Sequence, residues 1–196
     1  MMLGFGSFCF SSYLSSFSSE LKLISFLNML FFGTAFVTAV TASSFLTAPL
    51  ASGARVLTFP GFVSDNSLLL FLFIFAFNVT VAAFAILTLP GFVFFPLSVV
   101  ALAYRGVLWG LLFYSLSSTT FLVLLPVVVL EGEAYVLASM AGTLTGFSWI
   151  NPRTGLGRRA AFEKALRECM KTYLSVAVLL FASAAVETVA IMVVPT

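Results

Sequence analysis

Four ionisable residues lie within stretches of the chain that are otherwise apolar enough to cross a membrane: Arg105, Glu131, Glu133 and Glu187. A charge at the centre of a membrane helix costs about 2.5–3.5 kcal/mol on insertion scales, so such residues normally face other helices or a wet cavity. A carboxylate in that setting pairs with a basic side chain, binds a cation, or carries a proton. The sequence therefore predicts an intramembrane polar cluster with one of these three roles.

The depth of these residues indicates which of them can meet. Arg105 precedes the short polar link at residues 115–120 and Glu131 follows it, and the rise of an α-helix places each about 15–17 Å from the same surface. We therefore expect Arg105 to pair with Glu131. Glu187 lies about 10 Å deep on that same side, whereas Glu133 is about 200° around its helix from Glu131. The alternative, in which Glu131, Glu133 and Glu187 bind a cation or a proton, stays open.

Catalytic chemistry has little support in this sequence. The chain contains no histidine, and its two cysteines, Cys9 and Cys169, lie at opposite ends. Glu131 and Glu133 point to different faces of a helix, so they cannot flank one bond as a general acid and base do. We predict a protein without catalytic residues, without a metal site and without a cofactor.

Small residues recur on the same segments as the polar cluster. Ala138, Gly142 and Gly146 are spaced by four and form one line along a helix, and Gly106 and Gly110 share that spacing on the preceding segment. Lines of small residues let two helix backbones approach closely inside a membrane. They predict helix packing, and as partners either a second copy of this chain in a homo-oligomer or other membrane proteins.

Composition defines the elements that must position these residues. Of 196 residues, 61% are hydrophobic and 8% charged, and the net charge is only +2. Such a chain is an integral membrane protein whose surroundings are the lipid bilayer, and its charge gives no reason to expect a nucleic-acid partner. We predict a single all-α domain over residues 1–196, a polytopic transmembrane helical bundle of about five spans. The spans are expected at residues 23–47, 66–89, 92–115, 121–149 and 170–194.

The third segment, residues 92–115, allows two interpretations. Pro96, Arg105, Gly106 and Gly110 interrupt its apolar pattern. They fit either a kinked full span or two half-helices of a re-entrant segment that meet at Arg105 and Gly106. We favour the kinked full span.

Two further segments have the pattern of amphipathic helices at the membrane surface. In residues 1–21, Phe10, Tyr13, Leu14 and Phe17 share one helical face, serines occupy the other, and no basic residue precedes Lys22. This pattern is typical of an interfacial helix that binds loosely packed or curved lipid without electrostatic attraction. The alternative is a lead-in helix that packs on the flank of the protein itself.

The second amphipathic segment is the basic linker at residues 150–169. Its basic residues include Arg158, Arg159, Lys164 and Arg167, opposite an apolar face. We expect an interfacial helix at the membrane surface, with Glu163 paired to Arg167 and Lys164 to Glu168. The positive-inside bias then places this linker and the N-terminus in the cytoplasm and the C-terminus outside.

One family shares the pattern around Glu131. The run Leu125-Pro126-x-x-x-x-Glu131, followed by Ala138, Gly142 and Gly146, resembles the signature of the stage II sporulation protein M family. Its archaeal and bacterial members read approximately Leu-Pro-His-Gly-x-x-Glu and then Ala-Gly-x-x-Gly-x-x-x-Gly. Arg105-Gly106-x-x-x-Gly110 similarly resembles the family's Asn-Gly-x-x-x-Gly, so that the resemblance covers about residues 66–194.

This resemblance implies a function as well as a fold. Members have several spans and no known catalytic activity, and the sporulation member acts in a membrane complex with cell-wall hydrolases during engulfment. Val127 and Val128 replace the family's histidine and glycine here, and Arg105 replaces its asparagine, so only Glu131 carries over as the matching residue. The resemblance thus implies a membrane scaffold or membrane-shaping protein, and a small cation- or proton-coupled transporter or channel is the alternative.

Overall fold

The computed structural model describes residues 5–45, 66–152 and 157–193, with side chains described from residue 19 to residue 192 within those ranges. Every element in these ranges is helical. The elements in chain order are α1 Phe5–Phe45, α2 Ser67–Phe77, a π-helix Asn78–Thr88, α3 Leu89–Val93, α4 Phe95–Ser115, α5 Ser118–Ile150 and α6 Arg158–Val193.

Five of the helical stretches are long and apolar enough to cross a membrane: Ser19–Phe45, Ser67–Val93, Phe95–Ser115, Ser118–Ile150 and Arg158–Met192. The second of these is one continuous stretch made of α2, the π-helix and α3. The predicted all-α bundle with about five spans is therefore confirmed.

Helix α5 lies at the centre of the bundle. It contacts α1, the π-helix, α3, α4 and α6, and its most extensive contact is with α6. Its interior face is made largely of small residues and includes Ala134, Ala138 and Ala141, all buried. Because small side chains allow close approach from several directions, α5 packs against neighbours on almost every side.

The break between the second and third spans lies at Phe94 rather than at Pro90-Gly91. Phe94 has an extended backbone (φ −148°, ψ 106°), whereas Pro90 lies in the first turn of α3, where the missing N–H of proline is tolerated. The second span therefore continues to Val93, and the third begins at Phe95.

The third span is a single helix. α4 runs from Phe95 to Ser115 without interruption at Arg105 or Gly106. Pro96 occupies its first turn, so it starts the helix instead of bending it. Two half-helices of a re-entrant segment are not what the structure shows, and Arg105 projects from the middle of a full-length helix.

The N-terminal segment is not a separate helix. α1 continues from Phe5 through Glu20 and Lys22 to Phe45, so the expected boundary between an interfacial helix and the first span is absent. The side chains of Phe10, Tyr13, Leu14 and Phe17 lie outside the described residues. The loop expected at about residues 48–65 also falls outside them.

The basic segment is likewise part of a longer helix. Its apolar face packs on the bundle: the ring of Phe162 lies 6.3 Å from that of Phe92 and 5.0 Å from that of Trp149, and Cys169 is buried. The expected interfacial helix is thus the first third of α6, standing against its own protein. Its exposed ion pairs are Arg159 with Glu163 at 3.0 Å and Lys171 with Glu168 at 2.8 Å, in place of the two pairs predicted from the spacing.

The short links determine how the helices are oriented. Phe94 alone separates α3 from α4, and two residues separate α4 from α5, so the second, third and fourth spans alternate in direction. α1 runs parallel to α4, because Gly106 meets Phe31 whereas Gly110 meets Ala35. The start of α6 lies near the turn at Phe94, because Phe162 contacts Phe92. The start of α1, the turn at Phe94 and the start of α6 are therefore at one end of the bundle, which we call the basic end. The link between α4 and α5 is at the other end.

Candidate functional site: an intramembrane polar cluster

The hydroxyl group of Tyr135 joins the two charges that sequence analysis expected to pair. Arg105 Nη2 in α4 donates to this hydroxyl over 3.0 Å. The hydroxyl in turn donates to Glu131 Oε1, one turn earlier in α5, over 2.5 Å. Tyr135 is fully buried and Glu131 is 5% exposed, so both bonds are shielded from solvent. Hydrogen bonds to ionised groups in such surroundings are stronger than those between neutral groups.

Arg105 and Glu131 do not form the direct ion pair that we expected. Within the described part of the chain the ion pairs are those of α6, and Tyr135 occupies the space between the two charges. The guanidinium carbon of Arg105 lies 5.0 Å from the centre of the Tyr135 ring, so the cation also contacts the aromatic face. The physical reason is helical spacing. Residues 131 and 135 lie one turn apart on the same face of α5, and the tyrosine side chain, which is longer than that of glutamate, contacts α4 in place of Glu131.

A third element reaches the same hydroxyl. Asn78, the first residue of the π-helix, is buried, and its side-chain oxygen is 3.3 Å from the Tyr135 hydroxyl. A phenol has one proton, and the shorter contact assigns it to Glu131. If the side-chain amide of Asn78 is rotated by 180°, its nitrogen takes the place of its oxygen and donates to the Tyr135 hydroxyl. The hydroxyl then donates to Glu131 and accepts from Arg105 and Asn78, so all its hydrogen-bonding positions are used. The cluster thus connects α4, α5 and the π-helix.

Glu133 and Glu187 lie at the margins of this cluster. Glu133, on the other flank of α5, accepts a hydrogen bond of 3.3 Å from Asn28 Nδ2 of α1. Glu187 of α6 is partly buried and close enough to Glu131 for electrostatic repulsion. The structure therefore brings Arg105, Glu131 and Glu187 into one region and directs Glu133 toward α1.

Gly106 and Gly110 bring α1 against α4 beside the cluster. A Cβ atom at Gly106 would meet Thr34 Oγ1 and, at 2.7 Å, the carbonyl oxygen of Phe31. At Gly110 it would meet the carbonyl oxygen of Ala35 and, at 2.6 Å, Thr38 Cβ. Only glycine permits this approach, because the carbonyl oxygens of Phe31 and Ala35 belong to the backbone and cannot move aside cheaply.

Gly142 and Gly146 form a groove on α5 that this same chain fills. A Cβ atom at Gly142 would lie 2.7 Å from the carbonyl oxygen of Thr88, and one at Gly146 would collide with the carbonyl oxygen of Gly91. A Cβ atom at Gly91 would lie 2.6 Å from the carbonyl carbon of Gly142. The groove expected to bind a second copy is therefore an intramolecular seat for α3, and formation of a homo-oligomer stays a prediction that needs another surface.

Hydrogen bonds of buried hydroxyl groups stabilise this seat of α3 on α5. Thr88 Oγ1 is 2.9 Å from the carbonyl oxygen of Ala138 and 2.5 Å from the Tyr173 hydroxyl of α6. Ser98 Oγ donates to the carbonyl oxygen of Ser139 over 3.0 Å. Ser139 Oγ in turn donates to the carbonyl oxygen of Ser98 over 3.1 Å. On either side of α3, the π-helix and α4 are thus bonded to α5, and the π-helix is also bonded to α6.

Comparison with known proteins identifies the family to which this chain belongs. A family model described as stage II sporulation protein M matches residues 22–190. The chain belongs to the stage II sporulation protein M family. No curated protein and no solved structure gives a match.

The match to the stage II sporulation protein M family is longer than the sequence motifs indicated. It begins at residue 22 instead of about residue 66, so it includes most of the first span. The contact of α1 with α4 at Gly106 and the bond from Asn28 to Glu133 therefore lie inside the family region. The matched region accordingly includes residues of all five spans of this chain.

Sequence reasoning missed three residues of the cluster: Tyr135, Asn78 and Asn28. Signals for all three existed. Tyr135 follows Glu131 by one helical turn and so shares its face. Asn78 and Asn28 are amides inside apolar spans, where polar side chains find partners in other helices. Which partner each amide meets could not be predicted, because the approach of one span to another depends on tertiary packing.

The chemistry available to the cluster is limited. Among the described residues no group of three histidine, cysteine or acidic side chains could hold a metal ion. Its groups donate and accept hydrogen bonds among themselves, and the tyrosine is at the centre. What this arrangement does well is to hold α4, α5 and the π-helix at fixed distances.

The seat of α3 gives a first testable prediction. Replacing Thr88 by valine keeps the side-chain shape and removes the hydroxyl that bonds Ala138 and Tyr173. We expect the free energy of unfolding in detergent to fall by about 1 kcal/mol for the lost bonds. The matched control is Thr80→Val in the same π-helix, where the hydroxyl is exposed and bonds Ala76 of its own span, and its cost should be smaller. An equal cost at both positions would contradict the role of Thr88.

Proposed function

We propose that this member of the stage II sporulation protein M family is a non-enzymatic membrane scaffold or membrane-shaping component. Its bundle holds helices in a fixed arrangement and presents surfaces at the basic end. The family resemblance supports this proposal, since it implies a place in a membrane complex. The internal geometry supports it independently.

The observation that carries the proposal is the use of the buried polar groups. Arg105, Tyr135, Glu131 and Asn78 bond to one another across three elements. A binding site for a transported ion needs coordinating oxygens that are free to receive it. Here the best-buried carboxylate is already bonded to a tyrosine and lies near an arginine, and this favours a structural role.

The lengths of the helices support the same function. α1 has 41 residues and α6 has 36, which correspond to about 62 and 54 Å of helix against a hydrocarbon core of about 30 Å. The charged residues of α6 from Arg158 to Lys171 and the segment of α1 before Ser19 are at the basic end. Helical extensions on one side of a membrane provide a platform for partners and make the protein broader on that side.

The orientation in the membrane is part of this proposal. The excess of basic residues at 150–169 supports a cytoplasmic basic end by the positive-inside rule. The N-terminus is then cytoplasmic, and the end of α6 faces outward.

A transport function is the competing proposal, and it rests on Glu131, Glu133 and Glu187. Flux into proteoliposomes separates the two functions. Purified protein is reconstituted into vesicles that contain a pH-sensitive or potassium-sensitive dye, and a gradient is then applied. We expect the rate to equal that of protein-free vesicles, because the buried carboxylates are bonded within the bundle. Gramicidin added at the end verifies that the vesicles are sealed.

The double variant Glu131→Gln/Glu133→Gln is the matched control for this assay. A flux above that of protein-free vesicles that disappears in the variant would establish the transport function and overturn the scaffold proposal. Equal rates for the wild type, the variant and the protein-free vesicles would support the scaffold.

A further inference from the structure

The outer face of α6 carries a line of basic side chains directed away from the bundle. Lys164, Arg167 and Lys171 follow one another at spacings of three and four, so they share one helical face. All three are exposed, whereas Cys169 and Val176, on the opposite face, are buried against the protein. We call these three residues the basic stripe.

The basic stripe continues directly into a surface that faces lipid. Met170, Leu174 and Val178 follow it along the exposed side of α6, with 67%, 72% and 62% of their surface exposed. Large apolar side chains this exposed on a spanning helix face lipid chains. The change from basic to apolar residues at about residue 170 therefore marks the level where lipid headgroups meet the hydrocarbon.

One further observation agrees with this level. Lys171 directs its amine back toward Glu168, with Nζ 2.8 Å from Oε1. A lysine at the edge of the hydrocarbon directs its amine toward water in this way.

The charges of the stripe are only partly neutralised by the protein. Glu168 pairs with Lys171, and Glu163 pairs with Arg159, which lies off the stripe. Within the described residues Lys164 and Arg167 have no carboxylate within ion-pair distance. Two unpaired cations thus lie at headgroup level on a face that no other part of the described chain covers.

We propose that the basic stripe binds the phosphate groups of anionic phospholipids in the leaflet at the basic end. Lys164 and Arg167 supply the unpaired charges, and Met170 and Leu174 contact the acyl chains of the same lipids. The basis is charge complementarity at the depth where phosphate lies, together with the lipid-facing residues directly below. This inference concerns a lipid class and does not depend on the scaffold function.

Native mass spectrometry of the full-length chain tests the proposal. Delipidated protein receives equal amounts of phosphatidylglycerol and phosphatidylcholine with identical acyl chains, and the retained lipids are counted. A basic residue near an anionic membrane surface contributes a factor of about five in affinity. We therefore expect the wild type to prefer phosphatidylglycerol by at least about five-fold.

Variants with equal charge identify the surface. Lys164→Gln/Arg167→Gln removes the two unpaired charges and should abolish the preference. Lys22→Gln/Arg159→Gln removes the same net charge elsewhere and should retain it, and so should the exchange Lys164→Arg/Arg167→Lys. Circular dichroism and gel filtration verify that each variant is folded. If Lys164→Gln/Arg167→Gln does not fold, the exchange variant still tests the proposal, because it keeps both charges.

Two results would overturn the proposal. One is a wild type without preference, or a control double variant that loses as much preference as the stripe variant, because net charge would then be the whole effect. The other is full displacement of phosphatidylglycerol by an equal concentration of glycerol phosphate, which would show that free phosphate is the ligand instead of a membrane lipid.

Discussion

Replacing Gly146 by alanine is expected to lower the free energy of unfolding by about 2–3 kcal/mol, near the upper end of what overpacking a close contact costs. The added methyl group would collide with the carbonyl oxygen of Gly91 and lie 3.0 Å from its carbonyl carbon. Because these are backbone atoms of α3, the whole seat of α3 on α5 has to shift. Unfolding by denaturing detergent in mixed micelles, followed by circular dichroism, measures the change.

The chain provides a matched control for this substitution. Gly33, in α1, is also inside a helix, but a Cβ atom there would meet nothing within 4 Å. Gly33→Ala should therefore stabilise the protein by up to about 1 kcal/mol, because alanine loses less backbone entropy in a helix than glycine. If Gly146→Ala were as well tolerated as Gly33→Ala, α3 would not be seated on α5 as described.

This contrast shows what the sequence could and could not predict about the fold. The apolar runs predicted five spans, because length and hydropathy are local properties. The spacing of Gly142 and Gly146 predicted a close contact, but the identity of the contacting backbone depends on which segments meet in three dimensions. The same limit applies to α1, where the polar residues Glu20 and Lys22 suggested a boundary and the helix continues.

The candidate site was predictable to a similar extent. Charges in apolar spans indicated a cluster. The number of residues from the polar link at 115–120 placed Arg105 at the same depth as Glu131, and in the structure both side chains bond to Tyr135. The sequence could not reveal that tyrosine would separate the two charges, because this depends on side-chain reach across two packed helices. It also gave no reason to expect that the apolar face of the basic segment would pack on Phe92 and Trp149.

Removing Arg105 is expected to have the largest effect of any single change. Arg105→Met leaves Glu131, which is 5% exposed, without a cation, and a buried charge that has lost its partner costs about 3–5 kcal/mol. Arg105→Met combined with Glu131→Leu should recover much of this loss, because an apolar pair of similar volume needs no partner. The free energy of unfolding of each variant in mixed micelles measures both effects.

Glu133→Gln is the control for this pair. It removes a carboxylate from the same helix, but the glutamine oxygen still accepts the bond from Asn28. Its cost should be below about 1 kcal/mol, in the range of partly exposed polar contacts. A loss of stability as large as that of Arg105→Met would mean that removal of any of these charges destabilises the bundle. The effect of Arg105→Met could then not be assigned to its bond with Tyr135.

The most direct test of the structural role of the cluster is the coupling energy between Arg105→Met and Glu131→Leu, measured in the wild type and again with Tyr135→Phe. Since Tyr135 bonds to both side chains, we predict a coupling of about 2–3 kcal/mol in the wild type, as for residues of one network. With phenylalanine at position 135 the coupling should fall by more than half. Effects that add to within about 0.5 kcal/mol in the wild type would contradict the account, because residues without shared partners behave in that way.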